Sequence, residues 1–207
     1  MKLLLGTKNK HKIDELLKII NEYKIKYDLN LDVYSLNDFE DIEEPVEDGN
    51  TFAENALIKA KYYYDKFKIP TLADDSGIVV EALGNLPGIY SARYASIEGL
   101  HATDKDNRTK LLNELKNTNN RNAYFYCSIC VYSDEMIINE WGKMEGEILK
   151  DEIGTLGFGY DPIFYSFELK SPLGIVLEDE KNKVSHRGKA LRKTLDKITN
   201  FVKNNSI

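Results

Sequence analysis

Apolar residues at the start of the chain follow two patterns, a short continuous run and a stripe at helical spacing. The run at residues 2–5 predicts a strand, and a second strand is expected near Leu31–Ser35. Between these strands, one buried helix face is indicated by four residues: Ile13, Leu16, Leu17 and Ile20. Asn9 is the expected N-cap, so the chain begins as strand, polar loop, helix and strand.

The middle of the chain carries a second helix signal and a polar interruption within apolar sequence. An acidic loop from Asp38 to Gly49 leads to a capping box, Thr51-Phe-Ala-Glu54, which predicts that a helix starts at Thr51. Farther along, Thr71–Ala73 and Ile78–Ala82 are predicted as strands that flank Asp74-Asp75-Ser76-Gly77.

The second half of the chain changes from alternating strands and helices to an antiparallel pair. A helix is expected from about Thr103 to Leu115, and a long hairpin from Arg121 to Leu149. The last helix has an apolar stripe of five residues: Val184, Leu191, Leu195, Ile198 and Val202. Together these elements predict an α/β fold with a mixed sheet.

Composition narrows the class of protein. The 207 residues, of which 42% are hydrophobic and 30% charged, suit one globular domain spanning 1–207. The formal net charge of −6 argues against a nucleic-acid partner, because such binding usually needs a basic face. No segment is long enough to span a bilayer and the first apolar run is too short for a signal peptide. We therefore expect a cytoplasmic protein with no membrane partner.

Cys127 and Cys130 form a CxxC pair, a pattern that also occurs in redox and zinc sites. They lie in a run predicted as a strand, where an odd offset places the two side chains on opposite faces. The sequence has no second CxxC. We therefore expect both thiols to be core residues.

Two polar stretches near the N-terminus lie where a purely structural sequence would not need them. Thr7–Lys12 joins the first strand to its helix, where backbone N–H groups and the helix dipole favour phosphate; a solvated basic loop is the alternative. The acidic cluster Glu43–Gly49 either complements the dipole of the next helix or binds a hard cation. With three histidines and two cysteines spread along the chain, magnesium is favoured over zinc.

The third stretch is Asp74–Gly77. Adjacent carboxylates at the end of a buried strand are unfavourable unless a cation or hydrogen-bond donors compensate them. A turn would account for Gly77 but poorly for the double aspartate, so a functional site is favoured.

The fourth stretch is split between two segments. Gly157–Pro162 contains an aromatic ring flanked by glycines, which can stack on a planar base. Lys181–Gly188 places His186 and Arg187 in the first turn of the last helix, where cations oppose the dipole and indicate an anionic or electron-rich partner. An ordinary surface turn is the alternative for each segment. Because His186 and Arg187 lie off the apolar stripe, alanine at either position is expected to leave the melting temperature almost unchanged.

In this order, the motifs resemble those of one family, the inosine triphosphate pyrophosphatases, also described as XTP/dITP diphosphatases. They extend from residue 3 to about 191. The matching motifs are Thr7-x-Asn9-x-x-Lys12, Glu47-x-Gly49-x-Thr51-Phe52-x-Glu54-Asn55-Ala56, Ala73-Asp74-Asp75-Ser76-Gly77, Leu83–Tyr94, Gly157-Phe158-Gly159-Tyr160-Asp161-Pro162 and Ser185-His186-Arg187-Gly188. No single motif is diagnostic, whereas the ordered set is very specific.

The resemblance implies a homodimer of two-lobed α/β subunits, each with an elongated mixed sheet flanked by helices and an active-site cleft between the lobes. It implies Mg²⁺-dependent hydrolysis of ITP, dITP and XTP to the monophosphate and pyrophosphate, which cleanses the nucleotide pool. Many members have glycine where this chain has Lys8, so either the local backbone or the phosphate contact is expected to differ slightly there. Residues 168–178 match only loosely, at the edge of the expected base pocket.

The resemblance also implies a role for each matching residue. Lys12 is the main cation of a triphosphate loop formed by Thr7, Lys8, Asn9, Lys10, His11 and Lys12. Glu47 and Asp75 are implied metal ligands, and Asp75 is also the proton acceptor. The remaining implied substrate contacts are Ser76, Phe158, Gly159, Tyr160, Asp161, Lys181, His186 and Arg187.

The choice of base has a physical interpretation. Hypoxanthine presents an O6 acceptor and an N1–H donor, whereas adenine reverses the two. Donation to O6 from His186 or Arg187, with Asp161 accepting from N1–H, would reject adenine by leaving buried polar groups unpaired. Two other functions are alternatives. The complete Gly157–Pro162 and Ser185–Gly188 motifs argue against a pyrophosphatase for modified pyrimidine triphosphates, and the presence of Glu47 and Asp75 argues against a nucleotide-binding regulator that has lost hydrolysis.

Overall fold

The computed structural model describes residues 1–40, 42–97 and 100–204. The strands are β1 (Lys2–Leu5), β2 (Asp32–Ser35), β3 (Thr71–Val80), β4 (Asn122–Tyr132), β5 (Ile137–Ile148), β6 (Phe164–Ser166) and β7 (Ser171–Pro172). The helices are α1 (Lys10–Tyr27), α2 (Phe52–Phe67), α3 (Asp104–Glu114), α4 (Glu178–Val184) and α5 (His186–Asn204). Short 3₁₀ turns connect several of these elements.

The strands form one sheet in the order β2-β1-β3-β4-β5-β6-β7. Strand β1 pairs in parallel with β2 and with β3, whereas β6 pairs antiparallel with both β5 and β7. The sheet is therefore mixed and is flanked by helices, which confirms the predicted α/β class.

The chain divides into two compact units. Unit 1 comprises Met1–Asp75, Cys127–Gly142 and the chain from Arg187 onward; unit 2 comprises Ser76–Tyr126 and Lys143–His186. The prediction that residues 1–207 form a single two-lobed domain stays a prediction.

The main core of unit 1 is built by the apolar stripes of α1 and α5 together with strand residues. Asn9 caps α1 as predicted, since its Oδ1 accepts a hydrogen bond from the Lys12 amide at 3.2 Å. The fully buried members of this core include Leu3, Leu5, Ile19, Ile20, Leu31, Ile129, Val131, Leu191, Leu195 and Ile198. Strand β1, helix α1 and helix α5 therefore pack into the same core.

Helix α2 begins as the capping box predicts, with one difference. Thr51 Oγ1 accepts a hydrogen bond from the Glu54 amide at 3.1 Å. The Glu54 carboxylate accepts at 2.6 Å from the amide of Asn50 rather than from that of Thr51. The box therefore also fixes the residue that links the helix to the acidic loop.

Two predictions about element boundaries are wrong. The Asp74–Gly77 segment is not a connection between two strands, because β3 continues through it from Thr71 to Val80. Val184 does not belong to the stripe of the last helix; it ends α4 and packs against the core of unit 2. Hydrophobic spacing alone did not detect the break at Ser185, which separates α4 from α5.

In unit 2, Gly77 allows β3 to approach the turn that follows it. A Cβ at Gly77 would lie 2.3 Å from Ser91 Oγ and 2.5 Å from the Gly88 carbonyl oxygen. The Ser91 hydroxyl accepts from the Ile78 amide at 2.9 Å and donates to Gly88 O at 2.6 Å. The glycine of this motif therefore has a packing role.

Cys127 and Cys130 are free and buried, as predicted. Cys127 belongs to the main core of unit 1 and Cys130 to a separate small cluster in that unit. Burial raises the pKa of Cys130 to about 12, and it also raises the pKa of Cys127. Among the helices of the described residues, none combines the length and apolarity needed to cross a membrane.

Candidate active site

Asp74 and Asp75 are neighbours on β3, and their side chains meet different partners within unit 1. Asp74 Oδ2 lies 3.0 Å from Lys12 Nζ and accepts from Arg187 Nε at 3.1 Å. Its side chain is completely buried. Strand alternation explains why the two carboxylates diverge, since successive residues point to opposite faces of a sheet.

The partners of Asp74 hold it in the ionised form. Burial by itself would raise the pKa of this carboxyl, but the charges of Lys12, Arg187 and Lys59 lower it far below its ordinary value. The Cys127 thiol also lies 3.9 Å from the same Oδ2 atom. Asp74 is therefore a fixed anion that holds Lys12 in place.

Asp75 is held by a cation on one oxygen and an amide on the other. Its Oδ1 lies 3.6 Å from Lys59 Nζ, and its Oδ2 accepts from Asn55 Nδ2 at 3.1 Å. Glu47 Oε2 lies 3.1 Å from the same Lys59 ammonium. The two predicted metal ligands, Glu47 and Asp75, thus converge on one cationic group.

The surroundings of Asp75 shift its proton affinity in the direction opposite to that of Asp74. Burial raises the pKa of Asp75, and Lys59, Lys12 and Asn55 offset this only in part. Adjacent carboxyl groups with pKa values displaced in opposite directions are typical of acid–base sites. Asp75 is the member of the pair suited to accept a proton.

Asn55 also fixes the end of the acidic loop. Its Oδ1 accepts from the Gly49 amide at 2.9 Å. A Cβ at Gly49 would lie only 2.6 Å from that oxygen, so glycine permits the close approach. One buried amide therefore links the loop that carries Glu47 to the carboxylate of Asp75.

The predicted phosphate loop surrounds the start of α1. The first turn of this helix contains no acidic residue, while Lys10, His11 and Lys12 all lie in it. Lys10 and His11 are exposed, and Thr7 Oγ1 accepts from the Asn9 amide at 3.2 Å. Lys8 donates to the Ile42 carbonyl at 2.5 Å, so its ammonium binds the acidic loop.

The donor set at Glu47 and Asp75 fits a magnesium ion that is shared with phosphate. Within residues 1–40, 42–97 and 100–204, no three His, Cys, Asp or Glu side chains converge as a complete metal site. Magnesium is commonly held by one or two carboxylates, with water and substrate phosphates as its other ligands. The pair matches that mode of binding, with Lys59 between the two carboxylates.

Arg187 lies in unit 1, where it joins Asp74 to α1. Its NH1 donates to Glu15 Oε2 at 2.6 Å, and its side chain is only 2% exposed. These contacts favour a role in holding Asp74. Donation from Arg187 to the base stays a prediction. The premise that Arg187 lies away from the packed face is wrong, because the side chain is buried, and we therefore expect its replacement to lower stability.

In unit 2, Phe158, Asp161 and Lys181 form a compact group. Asp161 Oδ2 accepts from the Phe158 amide at 2.9 Å and from Lys181 Nζ at 2.5 Å. The Lys181 ammonium also lies 4.7 Å from the centre of the Phe158 ring, a cation–π distance. Asp161 is buried. One of its oxygens therefore binds both the backbone of the loop and the Lys181 ammonium in a site shielded from water.

The other predicted residues of unit 2 are half-buried or buried. His186 is buried and stacks on Phe125, with ring centres 4.9 Å apart and planes 12° from parallel. The Tyr160 hydroxyl donates to the Ser91 carbonyl at 2.8 Å. Gly159 and Ser76 are half-buried.

Sequence reasoning assigned no role to three residues of the unit 1 site: Glu15, Lys59 and Asn55, the last of which appeared only within the Glu47–Ala56 motif. Asn55 and Lys59 are four residues apart on α2 and therefore share a helix face; Glu15 follows Lys12 by three residues on α1. The spacing from Lys12 could have identified Glu15 as the neighbour of a predicted residue, whereas the spacing on α2 relates Asn55 and Lys59 only to each other. The buried contacts of these residues with Asp75 and Arg187 depend on tertiary packing.

The sequence is similar to proteins of known family over nearly its whole length. A protein of Aquifex aeolicus named dITP/XTP pyrophosphatase is 43% identical over 209 residues, covering 98% of this chain and 99% of that one. A HAM1 protein from Coxiella burnetii has a TM-score of 0.83 and 33% identity, covering 99% of both chains. The Staphylococcus aureus Ham1 protein has a TM-score of 0.81 and 32% identity, covering 100% of both. Because the Ham1 family profile also matches residues 3–197, this chain belongs to the Ham1 family.

Proposed function

We propose that this protein is a pyrophosphatase that hydrolyses ITP, dITP and XTP to the nucleoside monophosphate and pyrophosphate. The observation that carries the proposal is the pair of adjacent carboxylates, Asp74 bound to Lys12 and Arg187, and Asp75 bound to Lys59 and Asn55. Similarity to the dITP/XTP pyrophosphatases of Aquifex aeolicus and Bacillus anthracis supports the same activity.

Asp75 is proposed to accept the proton of a water molecule that attacks the α-phosphorus. The bond from that phosphorus to the bridging oxygen breaks, and pyrophosphate leaves with the bonding electrons. Asn55 fixes one oxygen of Asp75, which restricts the rotation of the carboxylate. Lys59 supplies positive charge beside it as the phosphoryl group reacts.

Glu47 and Asp75 are proposed to hold Mg²⁺ together with the phosphates. When bound, the ion would neutralise phosphate charge and lower the pKa of a coordinated water. Lys12, kept in place by Asp74, and the backbone amides at the start of α1 would bind the outer phosphates. A triphosphate carries about four negative charges, so several cations are needed.

The base is proposed to stack on Phe158 and to be read by side chains of unit 2. Phe158 is half-buried, and the adjacent Lys181 ammonium is a donor suited to an acceptor such as O6. Asp161 holds Lys181 and the Phe158 amide, so it supports the recognition of the base. Tyr160 supports the same loop through its hydrogen bond to Ser91.

A pyrophosphate-release assay tests the activity. Triphosphates of inosine, deoxyinosine, xanthosine, guanosine, adenosine and a pyrimidine nucleoside are compared with and without Mg²⁺. The proposal requires that the triphosphates of inosine, deoxyinosine and xanthosine yield pyrophosphate and monophosphate only when Mg²⁺ is present. The other three triphosphates should be hydrolysed far more slowly. Preference for the pyrimidine, release of orthophosphate, or binding without turnover would each contradict it.

We also propose that the protein is a homodimer in the cytoplasm. The dimer is an expectation of the family resemblance, and light scattering coupled to gel filtration measures it directly. A mass equal to that of one chain at micromolar concentration would contradict the dimer.

The proposed cytoplasmic location is compatible with the free thiols of Cys127 and Cys130, because the cytoplasm is a reducing compartment.

A further inference from the structure

We infer that helix α3 positions the base-binding loop, with Asp104 and Arg108 acting through the backbone of Gly159. The inference rests on the proposed function, because it assigns the control of base recognition to two residues outside the predicted site. All of its contacts lie within unit 2.

Both backbone polar groups of Gly159 are bound by α3. The Gly159 amide donates to Asp104 Oδ2 at 2.9 Å, and the Gly159 carbonyl accepts from Arg108 NH1 at 2.8 Å. Asp104 and Arg108 are four residues apart, so they lie on the same helix face one turn from each other. An acceptor and a donor on one rigid helix therefore fix a single peptide residue next to Phe158.

Arg108 is itself held in place. Its Nε donates to Glu152 Oε1 at 2.8 Å and its NH2 to Glu152 Oε2 at 3.4 Å, a two-point contact. The Arg108 side chain is 13% exposed, whereas Glu152 lies at the surface with 40% of its side chain exposed. The guanidinium is therefore a fixed donor toward the loop.

The loop needs this outside support because of its backbone. Gly157 and Gly159 both have left-handed conformations, with φ of 77° and 59°, so the loop has no regular secondary structure around Phe158. Asp161 supports the Phe158 amide from inside the loop, while α3 holds the next residue from outside. Phe158 lies between these two anchors. Loss of the outer anchor should loosen its ring without removing any phosphate ligand.

The N-terminal cap of α3 does not use the Asp104 side chain. Thr103 Oγ1 accepts from the Asp106 amide at 3.2 Å, and Asp106 Oδ2 accepts from the Thr103 amide at 2.9 Å. This capping box remains intact when Asp104 is changed. Asp104→Ala therefore removes the contact with the loop while the helix keeps its cap.

The experiment measures binding of inosine monophosphate and of inorganic tripolyphosphate by calorimetry. The variants are Asp104→Ala, Asp104→Asn, Arg108→Met and Arg108→Lys, with exposed Lys105→Ala on the same helix as the control. We expect Asp104→Ala and Arg108→Met to lower the affinity for inosine monophosphate roughly tenfold. The affinity for tripolyphosphate should stay unchanged. Asp104→Asn, which keeps an acceptor, should retain most of the affinity for inosine monophosphate. Arg108→Lys should retain only part of it, and Lys105→Ala should bind as tightly as the wild-type protein.

Two outcomes overturn the inference. One is unchanged binding of inosine monophosphate in Asp104→Ala; the other is an equal loss for tripolyphosphate, which would indicate general damage to the protein. Pyrophosphate release from dITP by the wild-type protein separately tests the proposed function. Because binding of the monophosphate needs no turnover, positioning by α3 can fail while the activity stands, and the reverse also holds.

Discussion

Buried charged side chains are paired differently in the two compact units. In unit 1, Asp74 binds Lys12 and Arg187, Arg187 also binds Glu15, and all of these groups except Lys12 are almost completely buried. In unit 2, the buried ion pair Lys181–Asp161 is joined to the backbone of a glycine-rich loop. Unit 1 therefore organises side chains through charge, whereas unit 2 organises a loop through hydrogen bonds to its backbone.

This difference predicts different consequences of mutation. Removing one member of a buried charge network leaves its partners uncompensated, which lowers stability as well as function. Removing a contact to a loop backbone leaves the core unchanged and alters the position of the loop. Stability and activity should therefore fall together for the buried residues of unit 1 that balance charge, and separately in the loop of unit 2.

Asp75→Asn should have the largest effect on activity. The amide cannot accept the proton of the attacking water, so kcat should fall by about 10²- to 10⁴-fold while the protein stays folded. Steady-state kinetics at saturating Mg²⁺, together with thermal unfolding, measure both quantities.

Asp74→Asn is the matched neighbour for that experiment. It should reduce kcat less than Asp75→Asn but lower the free energy of unfolding by about 3 kcal/mol or more, because Lys12 and Arg187 lose their shared anion. Equal or reversed effects on kcat would remove Asp75 from its assigned role.

Arg187→Met should have the largest effect on stability. It leaves Glu15 and Asp74 buried without their shared cation, so the free energy of unfolding should fall by about 3–5 kcal/mol. Chemical denaturation measures this, with Asn200→Ala on the exposed side of α5 as the control. A change below about 1 kcal/mol would show that the network contributes little to stability.

The kinetics of the same variant distinguish two roles for Arg187. A donor to O6 would make Arg187→Met lower the specificity constant for ITP much more than that for ATP. A residue that holds Asp74 would lower both by the same factor, and the buried contacts favour this second result.

Lys12→Ala should chiefly raise KM, by roughly 10- to 100-fold, because it removes a cation that binds phosphate. The affinity for the monophosphate product should stay close to that of wild type if Lys12 contacts the outer phosphates. Product-inhibition constants provide that comparison. Similar losses for the monophosphate and the triphosphate would place Lys12 elsewhere on the nucleotide.

Phe158→Ala should have the smallest effect on stability in this series. Stacking is indifferent to the exocyclic groups of the base, so all purine triphosphates should bind more weakly by about 1–3 kcal/mol alike. The melting temperature should stay within about 2 °C of wild type, since the ring is half-buried and lies outside the cores. A loss confined to one base would mean that Phe158 does more than stack.

The sequence predicted most elements because their signals are local. The stripe of α1, the caps at Asn9 and Thr51 and the hairpin of β4 and β5 depend on residues a few positions apart. The Asp74–Gly77 segment was predicted as a connection because its residues favour turns. The sheet overrides that preference, since Asp74 is neutralised by residues far away in the chain, Lys12 and Arg187.

By itself, the sequence determined the α/β class and the ordered motifs from which the family was identified. Only the tertiary structure decided how the charged residues pair. It placed Arg187 between Glu15 and Asp74, Lys59 between Glu47 and Asp75, and Gly159 against α3. The physical reason is range: caps and stripes stabilise a helix through near neighbours, whereas a buried charge is stabilised by whichever opposite charge the fold brings within a few ångströms, and that partner can lie over 100 residues away.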